Sequence, residues 1–163
     1  MDDIFTRFLR NNASDFNRCL QMTDVVRLLA QDDVLQHYLL YFDCPSLVRT
    51  EGVVQQIHGV LVELYFPEDY ECHAECKEVI SLRTPDIFLP QVQQTSICVG
   101  ALYPGMLASK VTEAIYSILT GQRYNLASVL NTDASVWVRS HLDMMPLTRK
   151  SMTNYPNTRL LDV

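Results

Sequence analysis

Apolar residues recur along this chain in patterns that change twice. In the first segment Ser14 is placed to cap a helix over residues 14–30, with Phe16, Leu20 and Val26 as its apolar stripe. A shorter helical turn carrying Ile4, Phe5 and Phe8 precedes it and is expected to break at Asn11-Asn12. The second segment reads as strands. Residues 37–43 are rich in β-formers, Cys44-Pro45-Ser46 suggests a turn, and residues 47–54 follow as a second strand. Residues 59–66 alternate cleanly, with Val60, Val62, Leu64 and Phe66 on one face and Glu63 on the other. Pro67-Glu68-Asp69 stops that strand, and a fourth run over 72–82 ends before Thr84-Pro85.

The third segment returns to helical spacing. Leu107, Val111, Ala114, Ile115, Ile118 and Leu119 make one amphipathic face, and Gly121 suits the C-terminal stop. A last helix is expected over 129–141, with Leu130, Ala134, Trp137 and Val138 on one side. Residues 144–163 are polar, contain Pro146 and Pro156, and read as an irregular extension to a single domain over 1–143. Strands joined by short connections favour an antiparallel meander. The predicted class is α+β: an N-terminal helix, a four-stranded antiparallel meander sheet and C-terminal helices laid on one face.

Composition narrows the function classes. The chain has 163 residues, 48% hydrophobic and 20% charged, which excludes a disordered polymer. A net charge of −6 argues against sequence-independent nucleic-acid binding, which needs excess Lys and Arg for phosphate contacts. Against that balance Arg7, Arg10, Arg18 and Arg27 all fall in the first segment, on either a solvated helix face or a partner-docking surface. The start, Met1-Asp2-Asp3, does not resemble a secretory leader, and no apolar stretch is long enough for a bilayer. The expected compartment is therefore the reducing cytoplasm. The five cysteines are odd in number and thinly spread, unlike a disulfide framework, and all are expected to be free.

Cys98 lies in Ser96-Ile97-Cys98-Val99-Gly100, where apolar neighbours ordinarily mean an inert buried thiol. The surrounding segment argues otherwise. Residues 84–106 hold three prolines, two glycines and a Gln-Gln-Thr run, the composition of a long loop between sheet and helix, and such loops tend to be functional. Cys72-His73-Ala74-Glu75-Cys76 invites a metal reading, but no second Cys/His pair completes four ligands, so these read as core or surface cysteines and no metal or cofactor is expected. The order Cys98, His141, Asn154 permits a cysteine hydrolase without local support. A phosphate loop, a nucleophile elbow and a zinc-protease motif are all missing from the sequence.

Several ordered marks resemble the ubiquitin-conjugating enzyme family over residues 23–141. Phe66-Pro67-Glu68-Asp69-Tyr70 resembles the family's Phe-Pro-x-x-Tyr-Pro at the end of its third strand. Thr84-Pro85 and Ile87-Phe88-Leu89-Pro90-Gln91 resemble the stretch ending in His-Pro-Asn, and Ser96-Ile97-Cys98-Val99 resembles the catalytic Ser-Ile-Cys-Leu. The run from Ser109-Lys110-Val111 to Ile118-Leu119 resembles the helix after the active site. Val129-Leu130-Asn131, with Ala134 beyond it, resembles Pro-Leu-Asn-x-x-Ala. Leu89 stands where the family has His, and Gln91 where it has Asn. Glu71-Cys72 replaces the family's paired prolines, and the loop after Cys98 is shorter and lacks the usual Trp. Such divergence resembles bacterial ubiquitin-like conjugation systems, including antiviral defence operons.

The resemblance implies a ubiquitin-conjugating-like fold and a carrier function. Cys98 would take the C-terminal acyl group of a ubiquitin-like protein from an activating enzyme as a thioester and pass it to a lysine amine of a protein substrate. Nucleic acid and membrane are not implied as partners. Gln91 would act in transfer, at the oxyanion or by holding a loop. Ser128 matches the residue that orients the incoming amine, or else caps the last helix. Tyr124 and Asn125 would shape the acceptor groove, and Arg7, Arg10, Arg18 and Arg27 would face the activating enzyme. The alternatives are a non-catalytic binding or adaptor module of the same shape, supported by Leu89 and Gln91, and the independent cysteine hydrolase.

Overall fold

A computed structural model describes residues 3–154. The chain opens with one helix, α1 (Asp3–Gln21), which buries Phe5, Phe8, Leu9, Asn12, Phe16 and Cys19 on a single stripe. The expected break at Asn11-Asn12 does not occur. Asn12 is a poor helix former, but its buried Oδ1 accepts a 2.7 Å hydrogen bond from the backbone N–H of Ala108. That tertiary bond supports the helix where local propensity is weakest. Ser14 is consequently an exposed mid-helix residue and caps nothing. The helix expected over 14–30 ends at Gln21 instead, and residues 26–31 are a strand.

Four strands form the sheet in the order β1 (Val26–Gln31), β2 (His37–Thr50), β3 (Val53–Tyr65) and β4 (Ile80–Thr84), all neighbours antiparallel. The four-stranded antiparallel meander and the α+β class are as expected. The strands themselves are distributed differently. Cys44-Pro45-Ser46 does not turn the chain; β2 runs straight through it. The register passes from Phe42 opposite Val60 to Pro45 opposite His58, a bulge that takes up one extra residue, and a bulge is where a strand accepts proline. The reversal comes at Glu51-Gly52. The run over 72–82 divides into irregular backbone, a short helix α2 (Cys76–Val79) and β4.

One face of the sheet carries the core. Tyr38, Leu40, Phe42 and Cys44 from β2 alternate inward beside Val60, Val62 and Leu64 from β3. Phe16 meets Tyr38 edge-on at 5.5 Å, and Phe66 meets Tyr70 at 4.9 Å. The helix α3 (Ala108–Leu119) lies on the same side, burying Val111, Ile115, Ile118 and Leu119, and Ser46 Oγ donates to the Leu119 carbonyl at 2.7 Å. Gly121 follows it at φ 68, in the left-handed region that favours glycine, and any Cβ there would strike Met145. A two-residue ladder, β5 (Val92–Gln93) with β6 (Ser96–Ile97), sits in the 84–106 loop, and α4 (Thr132–Ser140) follows α3.

The extension over 144–163 is irregular through Asn154, yet packed. Met152 is buried, Tyr116 Oη donates to the Lys150 carbonyl at 2.8 Å, Lys150 pairs with Asp24 at 2.6 Å, and the Asn154 N–H donates to the Met22 carbonyl at 2.8 Å. Pro156 lies outside the described residues. No helix among the described residues is long and apolar enough to cross a membrane.

The opposite face of the sheet is open to solvent. There Glu63 accepts a 2.6 Å hydrogen bond from Arg83 Nε and another from Nη2 of the same guanidinium, with His37 at 3.3 Å. The guanidinium beside it holds the Glu63 carboxyl below its ordinary value of 4.5.

Two predictions follow from these contacts. Asn12→Ala leaves the Ala108 N–H unpaired in the core, and urea denaturation should show a loss of about 1–2 kcal/mol. A lowered folded pKa stabilises above the unfolded value and ceases to do so as pH falls through the folded one. Stability followed from pH 6 downward should therefore decline less steeply below pH 4.5 in Glu63→Gln than in the native chain.

Candidate functional site

Cys98 follows β6, and its exposure is a matter of alternation. Ile97 and Val99 on either side are buried, so the intervening side chain faces the other way and is half-buried. It opens into a cavity of about 340 Å³ lined by Gln91, Cys98, Gly100, Arg123, Tyr124, Asn125 and Ser128, with Val99 and Ile118 behind. Five of these, Cys98, Gln91, Ser128, Tyr124 and Asn125, are the residues expected from sequence, and they arrive from two segments about thirty positions apart.

The two segments are clamped together by Pro90 and Gln91. The Gln91 carbonyl accepts from the Cys98 N–H at 2.9 Å. The Pro90 carbonyl accepts from the N–H groups of Leu130 and Asn131 at 2.9 and 3.1 Å. The Gln91 side chain is 5% exposed, and its Nε2 donates to the carbonyls of Asn125 at 2.6 Å and Ser128 at 3.2 Å. Both side-chain protons of Gln91 are thus committed to the loop, and of the two roles open to it the geometry provides the loop-holding one. Leu89 is 1% exposed and packs in the core as an apolar anchor.

Ser128 is exposed and lines the cavity, and it is not the cap of α4. That position belongs to Asn131, whose Oδ1 accepts from the Ala134 N–H at 3.0 Å. Asn125 Oδ1 accepts from the Ala127 N–H at 2.9 Å, fixing the turn in front of Ser128.

The arginines expected to act together divide between two faces. Arg7, Arg10 and Arg18 are exposed on α1, Arg18 beside Asp15 at 3.5 Å. Arg27 is on β1, on the solvent face of the sheet, its guanidinium 4.8 Å above the Tyr41 ring. It belongs to a different surface because the helix ends before it.

The hydrolase arrangement is not assembled. The His141 ring is stacked 4.0 Å from Trp137 and lines another cavity, with Arg49 and Phe88. The backbone of Asn154 is bound to Met22. Among the described residues no histidine lines the Cys98 cavity.

Two neighbours of Cys98 escaped the sequence reading. Arg123 sits beyond Gly121, and its Nη2 donates to the Val99 carbonyl, next in chain to the thiol. Its signal was a single basic residue just before Tyr124 and Asn125. Cys76, grouped with the structural cysteines, starts α2 and reaches across to the site. Its Sγ is 3.8 Å from the Gly100 carbonyl, and its thiol interacts with that of Cys98. Burial pushes the Cys76 thiol up, and the neighbouring Cys98 adds to the rise. Of the others, Cys72 is exposed, while burial pushes Cys44 up to about 12 and raises Cys19. His73, Glu75 and Glu78 approach within 4.8 Å of one another on the surface, but Glu75 is already paired with Lys77 at 3.0 Å.

No protein-family model matches the chain, and no curated protein matches it either.

Removing the Gln91 amide should loosen the second wall of the cavity. In Gln91→Ala, hydrogen exchange should accelerate at least severalfold across residues 123–131, while amides of β2 and β3 keep their protection.

Proposed function

We propose that the chain has a ubiquitin-conjugating-like fold and is a carrier of a ubiquitin-like protein, held as a thioester on Cys98. The observation that carries this reading is the convergence on one cavity of a half-exposed thiol and the Gln91, Tyr124, Asn125 and Ser128 side of the groove. A half-exposed thiol in a solvent-accessible cavity suits an acyl group that arrives on one protein and leaves on another. It also needs no resident cofactor, since the energy is already stored in the thioester.

The chemistry is two acyl exchanges. In charging, the Cys98 sulfur attacks the thioester on the activating enzyme, the C–S bond there breaks, and that enzyme's thiolate leaves. One thioester replaces another at nearly balanced energy. In discharge, the amine of a substrate lysine attacks the carbonyl carbon, the amine proton passes to solvent, and Cys98 leaves as thiolate. Ser128, exposed in the cavity lining, would orient the amine, and Tyr124 and Asn125 would border its path. Arg7, Arg10 and Arg18 on α1 offer a cationic face to an activating enzyme, a surface Arg27 does not share. The carrier thiol works only when reduced, which suits a cytoplasmic setting; a bacterial conjugation system of the antiviral kind rests on the sequence resemblance alone.

A non-catalytic adaptor is favoured by one observation, the full commitment of the Gln91 Nε2 protons to backbone carbonyls. One experiment separates the two. Incubated with its cognate activating enzyme, ATP and ubiquitin-like partner, the carrier should form an adduct on a non-reducing gel that reductant removes. Cys98→Ser should give a reductant-resistant ester or none, and Cys98→Ala should give none. An adduct undiminished in Cys98→Ala would overturn the assignment, and partner binding without any adduct would establish the adaptor.

A further inference from the structure

Transfer from Cys98 would build a tetrahedral intermediate whose oxyanion needs a fixed donor. Besides the polar side chains of Tyr124, Asn125 and Ser128 in the lining, two donors of the Cys98 wall are already committed. The Cys98 N–H is given to the Gln91 carbonyl, and both Gln91 Nε2 protons go to the carbonyls of Asn125 and Ser128. The guanidinium of Arg123 is the cationic group lining the cavity, and it carries five N–H donors in a planar fork. One of its nitrogens, Nη2, is anchored on the Val99 carbonyl. The backbone makes room for it: Gly100 adopts φ 88, and a Cβ at that position would lie 3.1 Å from Nη2. The Arg123 backbone is fixed as well, its N–H donating to the Ser117 carbonyl at 3.0 Å beyond the end of α3. The guanidinium is therefore held at the residues that follow the thiol, with donors to spare.

We infer that Arg123 is the oxyanion donor of this site, taking the part that the committed Gln91 amide cannot play. This rests on the carrier reading. As the amine attacks, the carbonyl π pair moves to oxygen, and the free N–H groups of Arg123 bind that oxyanion. The pair then returns to re-form C=O, the C–S bond breaks, Cys98 departs as thiolate and the amine proton goes to solvent. Charging passes through a similar intermediate. There the attacking group is a thiolate and the exchange is nearly balanced, so the step depends less on the donor than attack by an amine does.

The test has two arms on the full chain, with Arg123→Gln and Arg123→Lys folded to the same melting profile as the native protein. The first needs no partner. Iodoacetate and iodoacetamide alkylate Cys98 at rates read on its peptide by mass spectrometry, and their ratio reports a positive donor beside the sulfur independently of thiol exposure. In Arg123→Gln the ratio should fall about 3- to 10-fold, the effect of one nearby charge in a well-screened site, and Arg123→Lys should recover part of it. An unchanged ratio overturns the inference. The second arm follows a single turnover of the charged carrier. Discharge to free lysine should slow at least about tenfold more than charging in Arg123→Gln, the scale of losing one oxyanion donor. Equal slowing of both steps would make Arg123 a structural anchor of Val99 and overturn the catalytic role. If the native chain forms no adduct the carrier reading fails, while the alkylation ratio still decides where the guanidinium acts.

Discussion

Two consecutive residues hold both walls of the site. Pro90 and Gln91 take part in five hydrogen bonds that join the Cys98 segment to the loop over 125–131. Proline is well suited to the first position, since its ring restricts the backbone and the contact needs only its carbonyl. Glutamine is suited to the second because its amide reaches two carbonyls at once. With Leu89 buried beneath them, the dipeptide is fixed to the core on one side and to the groove on the other. Everything proposed about the cavity depends on that clamp, because neither wall has enough regular structure of its own.

The core explains why the clamp stays in place. Each end of α3 is tied to a distant element through a buried polar group: Asn12 of α1 receives the Ala108 N–H, and Ser46 of β2 donates to the Leu119 carbonyl. Such bonds do more than add stability. An apolar stripe tolerates sliding by a turn, whereas a buried donor and acceptor match in only one register. The loop leaving α3, which carries Arg123, Tyr124 and Asn125, is thereby aimed at the cysteine.

Much of this was legible in the sequence, for identifiable reasons. The β3 alternation and the α3 stripe each fit a single period; α3 formed where expected, while β3 contains the alternating run but begins earlier, at Val53. The end of α1 was not readable, because Val25, Val26, Leu28 and Leu29 fit a continuing helix as well as a strand, and pairing with β2 decides the matter. Pro45 looked like a turn because a bulge depends on the partner strand. In the site, the cysteine and its groove residues stood out by order and type. Their clamp did not, since seven of its eight acceptor and donor groups are backbone atoms that almost any residue could provide. Cys76 and Arg123 were missed for the related reason that their neighbours lie more than twenty positions away.

The segment over 145–154 has a consequence of a different kind, one of timing. Lys150 meets Asp24, and Asn154 meets Met22, after more than 120 intervening residues. Chain closures that long contribute late in folding, after the local helices and the β2–β3 hairpin have formed. A nascent chain emerging from the ribosome would thus have its sheet and α3 in place while the junction between α1 and β1 was still bare. Completion of the fold at that junction waits for residues that are made well after those of the cysteine site.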